Sequence, residues 1–387
     1  MRESRVVVGS LVVATLGLVV LGIGMIVDAP RACFAYLAAW TYGVSIAIGA
    51  LLLLMIGHAA KASWMVVTRR TTEAVVDALP LYALLFVPIA ASLSRIYPWA
   101  GDVGALEPGV REAVLHKRAY LNPTFFVVRT GVYFAILIAV GALLGAWSRA
   151  NDVRPSLAWT HRMRALSGGG LPVVGLTLTW ASFDWTMSLQ PAWSSTIFGL
   201  YDFAGAFVGA IALVCILEGL PSRRAGGSAM SADHAQALGR VLFAMVIFWA
   251  YMAFSQLLIY WIGDLPEEVS FYAVRTAGSW RGVTAVLVVG HFVLPFFALL
   301  SRPLKRRPAY LAAVGGWMLA MHAVDIYWLV LPVHDVSGVR PHWVDVAALA
   351  FVGGLSCAWV TVRYRAAAPM PRFVPGLAEG IHYEAAL

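Results

Sequence analysis

Ionisable side chains inside long apolar stretches are the groups in this sequence that could carry out chemistry. Three carboxylates, Asp184, Asp202 and Asp325, and two histidines, His291 and His322, lie within such stretches. A charged group at membrane depth is costly unless it is paired or functional, so each is a candidate for proton transfer. His322 and Asp325 are three residues apart, which predicts that they share one face of a helix.

A second set of polar residues lies nearer the ends of the apolar stretches: Arg129, His58, Asp77, Glu218 and Asp345. The simpler interpretation of this set is that Arg129 pairs with a carboxylate and that the others face lipid headgroups. Ordered by depth, however, the two sets form a ladder of groups from one side of a membrane to the other. Such a ladder is what a proton path requires.

The composition defines the elements that must position these residues. Hydrophobic residues make up 60% of the chain and charged residues 12%, with a mean hydropathy of +0.78. Soluble proteins carry about 25% charged residues, and a spanning helix needs about 20 apolar ones. The longest polar loop, 97–122, should hold a short helix. We expect one all-α membrane domain over residues 1–387 with about ten helices, near 6–27, 36–57, 78–96, 123–147, 171–189, 195–218, 238–262, 282–301, 309–331 and 343–362.

Basic residues are unevenly divided between the loops. An even number of helices places both termini on one side, and that side carries Arg69 and Arg70, Arg223 and Arg224, and the basic run 302–307. Loops rich in Lys and Arg remain in the cytoplasm, so we expect both termini there. The net charge of +8 therefore reflects orientation and gives no reason to expect nucleic acid as a partner.

Ligand sets for redox cofactors are missing from the sequence. Cys33, Cys215 and Cys357 are far apart and form no CxxC or CxxCH pattern, which argues against iron–sulfur, structural zinc and c-type haem sites. A membrane b-type haem needs two histidines at matching depth on facing helices. His58, His291 and His322 lie one to a helix and are expected at different depths, so no such pair is predicted. We expect this chain to bind no metal and no cofactor of its own.

Four longer stretches resemble one known family, with residues GHAAKASW (57–64) and LPLYALLFVPI (79–89), KRAYLNPTFFVVR (117–129), SFDWTMSLQPAWSSTIFG (182–199), and FWAYMAFSQ (248–256) followed by His291 and Pro295. Over roughly residues 36–345 the chain resembles the NrfD or polysulfide-reductase membrane subunits. Within that family it is most similar to the F subunit, or quinone-binding subunit 2, of alternative complex III.

This resemblance implies both a fold and a function. The fold would be two four-helix bundles, helices two to five and six to nine, with helices one and ten outside. The chain would be a cofactor-free subunit of a quinol:cytochrome c oxidoreductase in a bacterial inner membrane, with a proton path. The complex would use menaquinone or ubiquinone, and its partner subunits would carry haem c and iron–sulfur clusters. Those partners would be an NrfD-type sister subunit, an iron–sulfur subunit, and multihaem and monohaem cytochromes c, sometimes with a terminal oxidase.

Two other functions remain open at this point. The chain could be a secondary transporter with a substrate site between two helical halves. It could also be a scaffold whose polar residues only pair with one another. Neighbouring genes for a multihaem cytochrome and an iron–sulfur protein would favour the respiratory complex.

Overall fold

The part of the chain that the structure describes is built from helices and contains no strand. The structure is a computed structural model, and it describes residues 2–219, 230–263, 265–366 and 370–385. Arg223 and Arg224, which contributed to the predicted orientation, lie outside the described residues. In chain order the α-helices are α1 (Arg2–Val27), α2 (Ala29–Ala59), α3 (Arg69–Val76), α4 (Leu79–Leu85), α5 (Val87–Ala91), α6 (Leu93–Ile96), α7 (Pro108–His116), α8 (Pro123–Val153), α9 (Leu157–Trp185), α10 (Phe198–Gly219), α11 (Ala232–Gly263), α12 (Pro266–Thr276), α13 (Trp280–Leu287), α14 (Leu294–Leu300), α15 (Arg302–Lys305), α16 (Pro308–Val330), α17 (Trp343–Ala366) and α18 (Leu377–Ile381).

Nine helical stretches of the described residues are long and apolar enough to cross a membrane. They are α1, α2, α8, α10, α11 and α17, together with the stretches Arg69–Ala91, Trp280–Leu300 and Pro308–Val333. The sequence predicted about ten, and the predicted helix that is missing from this set corresponds to α9. Its 29 residues could span a bilayer, but its glycines, threonines and charged side chains lower its hydropathy. The chain is therefore an all-helical, multi-pass membrane protein.

The third apolar stretch differs from its predicted bounds. We predicted a helix over 78–96, whereas the stretch runs over Arg69–Ala91 and is divided into α3, α4 and α5. Pro80 and Pro88 lie in the first turns of α4 and α5. A proline has no N–H to donate to the preceding turn, so each is tolerated only where a new helix begins.

A buried ion-pair cluster explains why this stretch begins earlier than predicted. One guanidinium nitrogen of Arg70 donates to Glu73 Oε2 at 2.6 Å and to Ser148 Oγ at 3.1 Å, and the other donates to Asp152. Because these opposite charges pair with one another, α3 lies among the helices although it begins with two arginines. The assignment of Arg69 and Arg70 to a loop was therefore wrong.

Side-chain hydrogen bonds cap the first turns of α8 and α9, each of which follows a polar segment. Asn122 Oδ1 accepts the Phe125 N–H at 2.9 Å at the start of α8, and Ser156 Oγ accepts the Ala158 N–H at 3.2 Å at the start of α9. These caps satisfy N–H groups that the helix itself leaves free. The cap at Ser156 makes α9 begin well before the predicted residue 171, and α9 ends at Trp185 rather than at 189. The short helix expected within 97–122 is confirmed as α7.

Helix α2 lies at the centre of the packing. Its side chains are buried along nearly its whole length, and it contacts α1, α3, α9, α10, α16 and α17. It comes closest to α10 at Gly49, where an added Cβ would lie 2.1 Å from the carbonyl oxygen of Ala206. Helices α1 and α17 pack against each other and against α2. Helices α2 and α10 are therefore in backbone contact at this point, and α16 packs against both of them.

Candidate functional site

Asp325 is the centre of a buried polar cluster formed by α10, α11 and α16. The Tyr201 hydroxyl donates a short hydrogen bond to Asp325 Oδ1, and Trp249 Nε1 donates to Oδ2 at 3.1 Å. Asp325 is 1% exposed. Within the described part of the chain, no arginine, lysine or histidine forms an ion pair with it. Neutral donors alone therefore hold this carboxyl group.

His322 lies one turn before Asp325 on α16, and its hydrogen bonds define its tautomer. The Ser45 hydroxyl on α2 donates to the Tyr42 carbonyl at 2.9 Å, so it is free only to accept from His322 Nε2, also at 2.9 Å. The proton of a neutral His322 then resides on Nε2, which leaves the lone pair on Nδ1. No described residue binds that Nδ1 atom. His322 thus presents an unused proton acceptor.

Gly205 on α10 allows both groups to pack closely against the helix backbone. An added Cβ at this position would lie 3.2 Å from His322 Cε1, 3.4 Å from His322 Nδ1 and 3.5 Å from Asp325 Oδ2. The His322 ring and the Asp325 carboxyl group therefore lie side by side against the same point of α10.

His291 completes the cluster from a different helix. Its ring stacks on Trp249 with the ring centroids 3.9 Å apart, and neither of its ring nitrogens has a hydrogen-bond partner among the described residues. We call this group the Asp325 cluster, and it comprises Ser45, Tyr201, Trp249, His291, His322 and Asp325.

A π-helical turn over Val288–Val293 carries His291. Pro295 accounts for it locally: Leu294 donates to Val289 five residues back, and Pro295 has no N–H for the carbonyl of Gly290. That carbonyl accepts a hydrogen bond from Trp317 Nε1 at 2.7 Å instead. Single π turns inside α-helices occur frequently at functional sites, and this one determines where the His291 ring points.

The potential ligand atoms of His291, His322 and Asp325 all lie within 4.8 Å of one another. Two imidazoles and a carboxylate are a ligand set that zinc accepts, with bonds of about 2.1 Å and ligand atoms about 3.4 Å apart. Here both oxygens of Asp325 already accept hydrogen bonds from Tyr201 and Trp249. We therefore interpret these three residues as a buried polar cluster rather than as a zinc site. His291 is separated in sequence from His322 and Asp325, so the three residues form no recognisable metal-binding motif.

Asp184 and Arg129 form a closed ion pair away from this cluster. Arg129 Nε and Nη2 each donate to one oxygen of Asp184 at 2.8 Å, and the Tyr133 hydroxyl donates to Oδ2 at 2.8 Å. Asp184 is completely buried, and the guanidinium also lies over the Tyr120 ring at 3.8 Å. Both carboxylate oxygens of Asp184 therefore accept hydrogen bonds from the oppositely charged Arg129.

The remaining carboxylates lie in separate places. Asp202 follows Tyr201 on α10 and interacts electrostatically with Asp325. Glu218 accepts from the Thr71 hydroxyl at the opposite end of α10. Asp77 was predicted to open the third helix, but it lies after the end of α3 and pairs with Arg363 at 3.0 Å.

Two further predicted residues, Asp345 and His58, lie near opposite ends of α2. Asp345 pairs at 2.5 Å with Arg31, which also lies 3.5 Å from Asp335. His58 lies at the other end, in a cavity with Arg69. Sequence analysis did not select Tyr201, Trp249 or Ser45, because nothing distinguishes these residues among 14 tyrosines, 15 tryptophans and many serines.

Two cavities share the lining residue Gln256. The first, of about 380 Å³, is lined by Ser195, Gln256 and Glu268 among others. The second, of about 540 Å³, is mostly apolar and is lined by Gln256, Tyr201 and Trp249 among others. Because Tyr201 and Trp249 are the residues that bind Asp325, the second cavity borders the Asp325 cluster.

Arg275 supports the wall of the second cavity from outside the spans. Its guanidinium donates to Gln190 Oε1 at 2.8 Å, to the Leu329 carbonyl at 2.7 Å and to the Trp328 carbonyl at 3.1 Å. Burial lowers the pKa of Arg275 to about 9. These bonds connect α12 to the end of α16 and to the segment after α9, so they maintain the shape of the cavity.

Comparison with known proteins adds no relative: no protein-family model matches the chain, and no curated protein matches it significantly. The class rests on the fold and the site. The chain is a multi-pass helical membrane protein in which one carboxyl group and two imidazoles are buried close together.

We predict that Asp184→Asn lowers the free energy of unfolding by about 3 kcal/mol or more, because it leaves the Arg129 charge buried without its partner. The matched control is Asp77→Asn, which disrupts a partly exposed pair with Arg363 and should cost at most about 1 kcal/mol. Unfolding midpoints in detergent would measure both. Equal midpoints for the two variants would show that the buried pair is not a stabilising feature.

Proposed function

We propose that this chain conducts protons through the membrane by way of the Asp325 cluster, as a subunit of a quinol-oxidising respiratory complex. The observation that carries the proposal is that, among the described residues, only neutral donors hold the buried Asp325 carboxyl group, beside the unpartnered Nδ1 of His322. Neutral donors do not fix the charge of a carboxyl group, so a proton can bind to it and leave. Asp184 differs because the Arg129 guanidinium donates to both of its oxygens.

The proposed path would reach one membrane face through the two cavities that share Gln256 as a lining residue. Glu268 and the hydroxyl of Ser195 line the first cavity, and Tyr201 borders the second and donates to Asp325. A proton would move from the first cavity past Gln256, along the Tyr201 hydroxyl, to Asp325. Asp202, beside Tyr201, would adjust the charge at this end of the path.

Toward the other face the proton would pass from Asp325 to His322, whose ring lies beside it against Gly205. Glu218 is the next titratable group of the proposed path, with the Thr71 hydroxyl bonded to it. Gly209 contacts the His322 ring, and it precedes Glu218 by nine residues on α10. At about 1.5 Å per residue this leaves about 14 Å, which water would have to bridge. His58 is the alternative group at this end.

The membership of a complex rests on the resemblance to the NrfD family. We propose ten crossings with α9 as the fifth, two four-helix bundles with α1 and α17 outside, and both termini in the cytoplasm of a bacterial cell. The chain would bind no redox cofactor of its own. Partner subunits would carry the iron–sulfur clusters and c-type haems and would oxidise menaquinol or ubiquinol.

The transporter alternative is less well supported by the packing. A substrate site between two helical halves needs space at their seam, and α2 and α10 are in backbone contact there at Gly49 and Ala206. The scaffold alternative predicts that the Asp325 cluster only holds helices together. Removing the carboxyl charge without changing its shape distinguishes that alternative from proton conduction.

For Asp325→Asn we predict an assembled complex whose quinol oxidation and proton release in vesicles fall by at least about tenfold, because an amide cannot exchange the proton. The control is Asp233→Asn, at the start of α11, where the carboxylate pairs with Arg306 away from the cluster. It should retain normal rates. If Asp325→Asn assembles and keeps both rates, the cluster is structural.

We also predict that purification in mild detergent through a tag on this chain recovers c-type haem and iron–sulfur absorbance. The physical reason is that a cofactor-free subunit can take part in electron transfer only in complex with redox subunits. Optical spectra of the eluate make the measurement, and an unrelated tagged membrane protein from the same cells is the control. A colourless chain recovered alone would contradict membership of a redox complex.

A further inference from the structure

A cationic cavity of about 320 Å³ lies at the end of α2 that carries His58. Its lining includes Lys61, Arg69 and Arg164, which come from the loop after α2, the start of α3 and the first half of α9. The segment 374–379 closes it on one side and contributes Glu379, its only acidic lining residue among the residues described. Three basic side chains thus surround a space that contains one carboxylate.

These three cations have no ion-pair partner among the described residues, since none of them lies within 4.0 Å of a carboxylate oxygen. The neighbouring Arg70 is different, because Glu73 and Asp152 both bind it. Unneutralised cations gathered around one cavity repel one another. An anion in the cavity would relieve that repulsion.

Two further features of the cavity lining favour an anion. His58 is 5% exposed, and its Nε2 has no hydrogen-bond partner in the described structure. A buried polar nitrogen without a partner is costly, and an anion could accept its proton. Arg69 is the first residue of α3, whose first turn contains no acidic residue. The partial positive charge of a helix N-terminus adds to the attraction for an anion.

The turn that ends α2 places Lys61 at the cavity. Its φ angle is 54°, in the left-handed region that commonly ends a helix. The Lys61 N–H donates to the His58 carbonyl at 3.3 Å, and the Ala62 N–H donates to that of Gly57 at 3.0 Å. These bonds keep His58 and Lys61 close together at this end of α2.

We infer that this cavity binds a phosphate group, supplied either by an anionic phospholipid headgroup or by a soluble phosphate. Arginine guanidinium groups match phosphate oxygens in pairs, and Lys61 adds a third positive charge. His58 Nε2 would donate to a remaining phosphate oxygen. Basic pockets between membrane helices are suited to phospholipid headgroups in the same way.

The test uses the full chain, in its complex if one is recovered, in nanodiscs of purely zwitterionic lipid. Phosphatidylglycerol is added to the bilayer in one arm, and inorganic phosphate is added to the buffer in the other. The shift of the thermal unfolding midpoint with ligand concentration gives the apparent affinity. Arg164→Gln should weaken binding by on the order of tenfold, since a charge-assisted hydrogen bond is lost.

Arg162→Gln is the matched control, because Arg162 lies on the same helix, stacks on Trp159 and does not line the cavity. It should bind as the unmodified chain does. Glu379→Gln removes the acidic lining residue and should tighten binding, a gain that a misfolded variant cannot produce.

A midpoint shift with phosphatidylglycerol alone identifies a lipid headgroup as the ligand, and a shift with inorganic phosphate identifies a soluble anion. The inference is overturned if neither probe stabilises the unmodified chain. It is also overturned if Arg162→Gln weakens binding as much as Arg164→Gln does.

Discussion

Polar side chains between apolar helices have no water to bind, so their partners on neighbouring helices determine which helices pack together. Arg129 and Asp184 join α8 to α9, and Arg31 and Asp345 join α2 to α17. The ion pair of Arg70 with Asp152 similarly joins α3 to α8. In each case a guanidinium is paired with at least one carboxylate. These ion pairs connect the helices that surround α2.

The Asp325 cluster follows the same constraint with a different result. Its carboxyl group accepts hydrogen bonds from Tyr201 and Trp249, which satisfy its oxygens without neutralising a charge. The adjacent His322 has a ring nitrogen without a hydrogen-bond partner among the described residues, and both groups pack against Gly205. The cluster is therefore buried and polar, and its carboxyl group has no ionic partner in the part of the chain that the structure describes. Asp184 differs because Arg129 pairs with it.

The fold could be predicted from the sequence wherever apolar length alone decided the outcome. The prediction was wrong where contacts between distant residues decided the helix bounds. Arg70 pairs with Glu73 and Asp152, so α3 begins earlier than the hydropathy indicated. Helix α9 begins earlier than predicted as well, because Ser156 caps its first turn in a polar segment.

The candidate site was predictable only in part. The spacing of His322 and Asp325 predicted a shared helix face, and the two do lie in one cluster. The contributions of Tyr201, Trp249 and His291 were not predictable, because they depend on how α10, α11 and the π turn pack against α16. Whether Asp184 pairs with Arg129 was left open by the sequence, and the geometry shows that it does.

A proton path through the Asp325 cluster requires the Asp325 carboxyl group to gain and lose a proton in place. Infrared difference spectroscopy of the purified protein, recorded while the pH is varied, measures this directly through the carbonyl band of a protonated carboxyl group. We expect a band that disappears as the pH rises and that is missing from Asp325→Asn. Identical spectra for the two proteins at every pH would show that Asp325 does not exchange a proton.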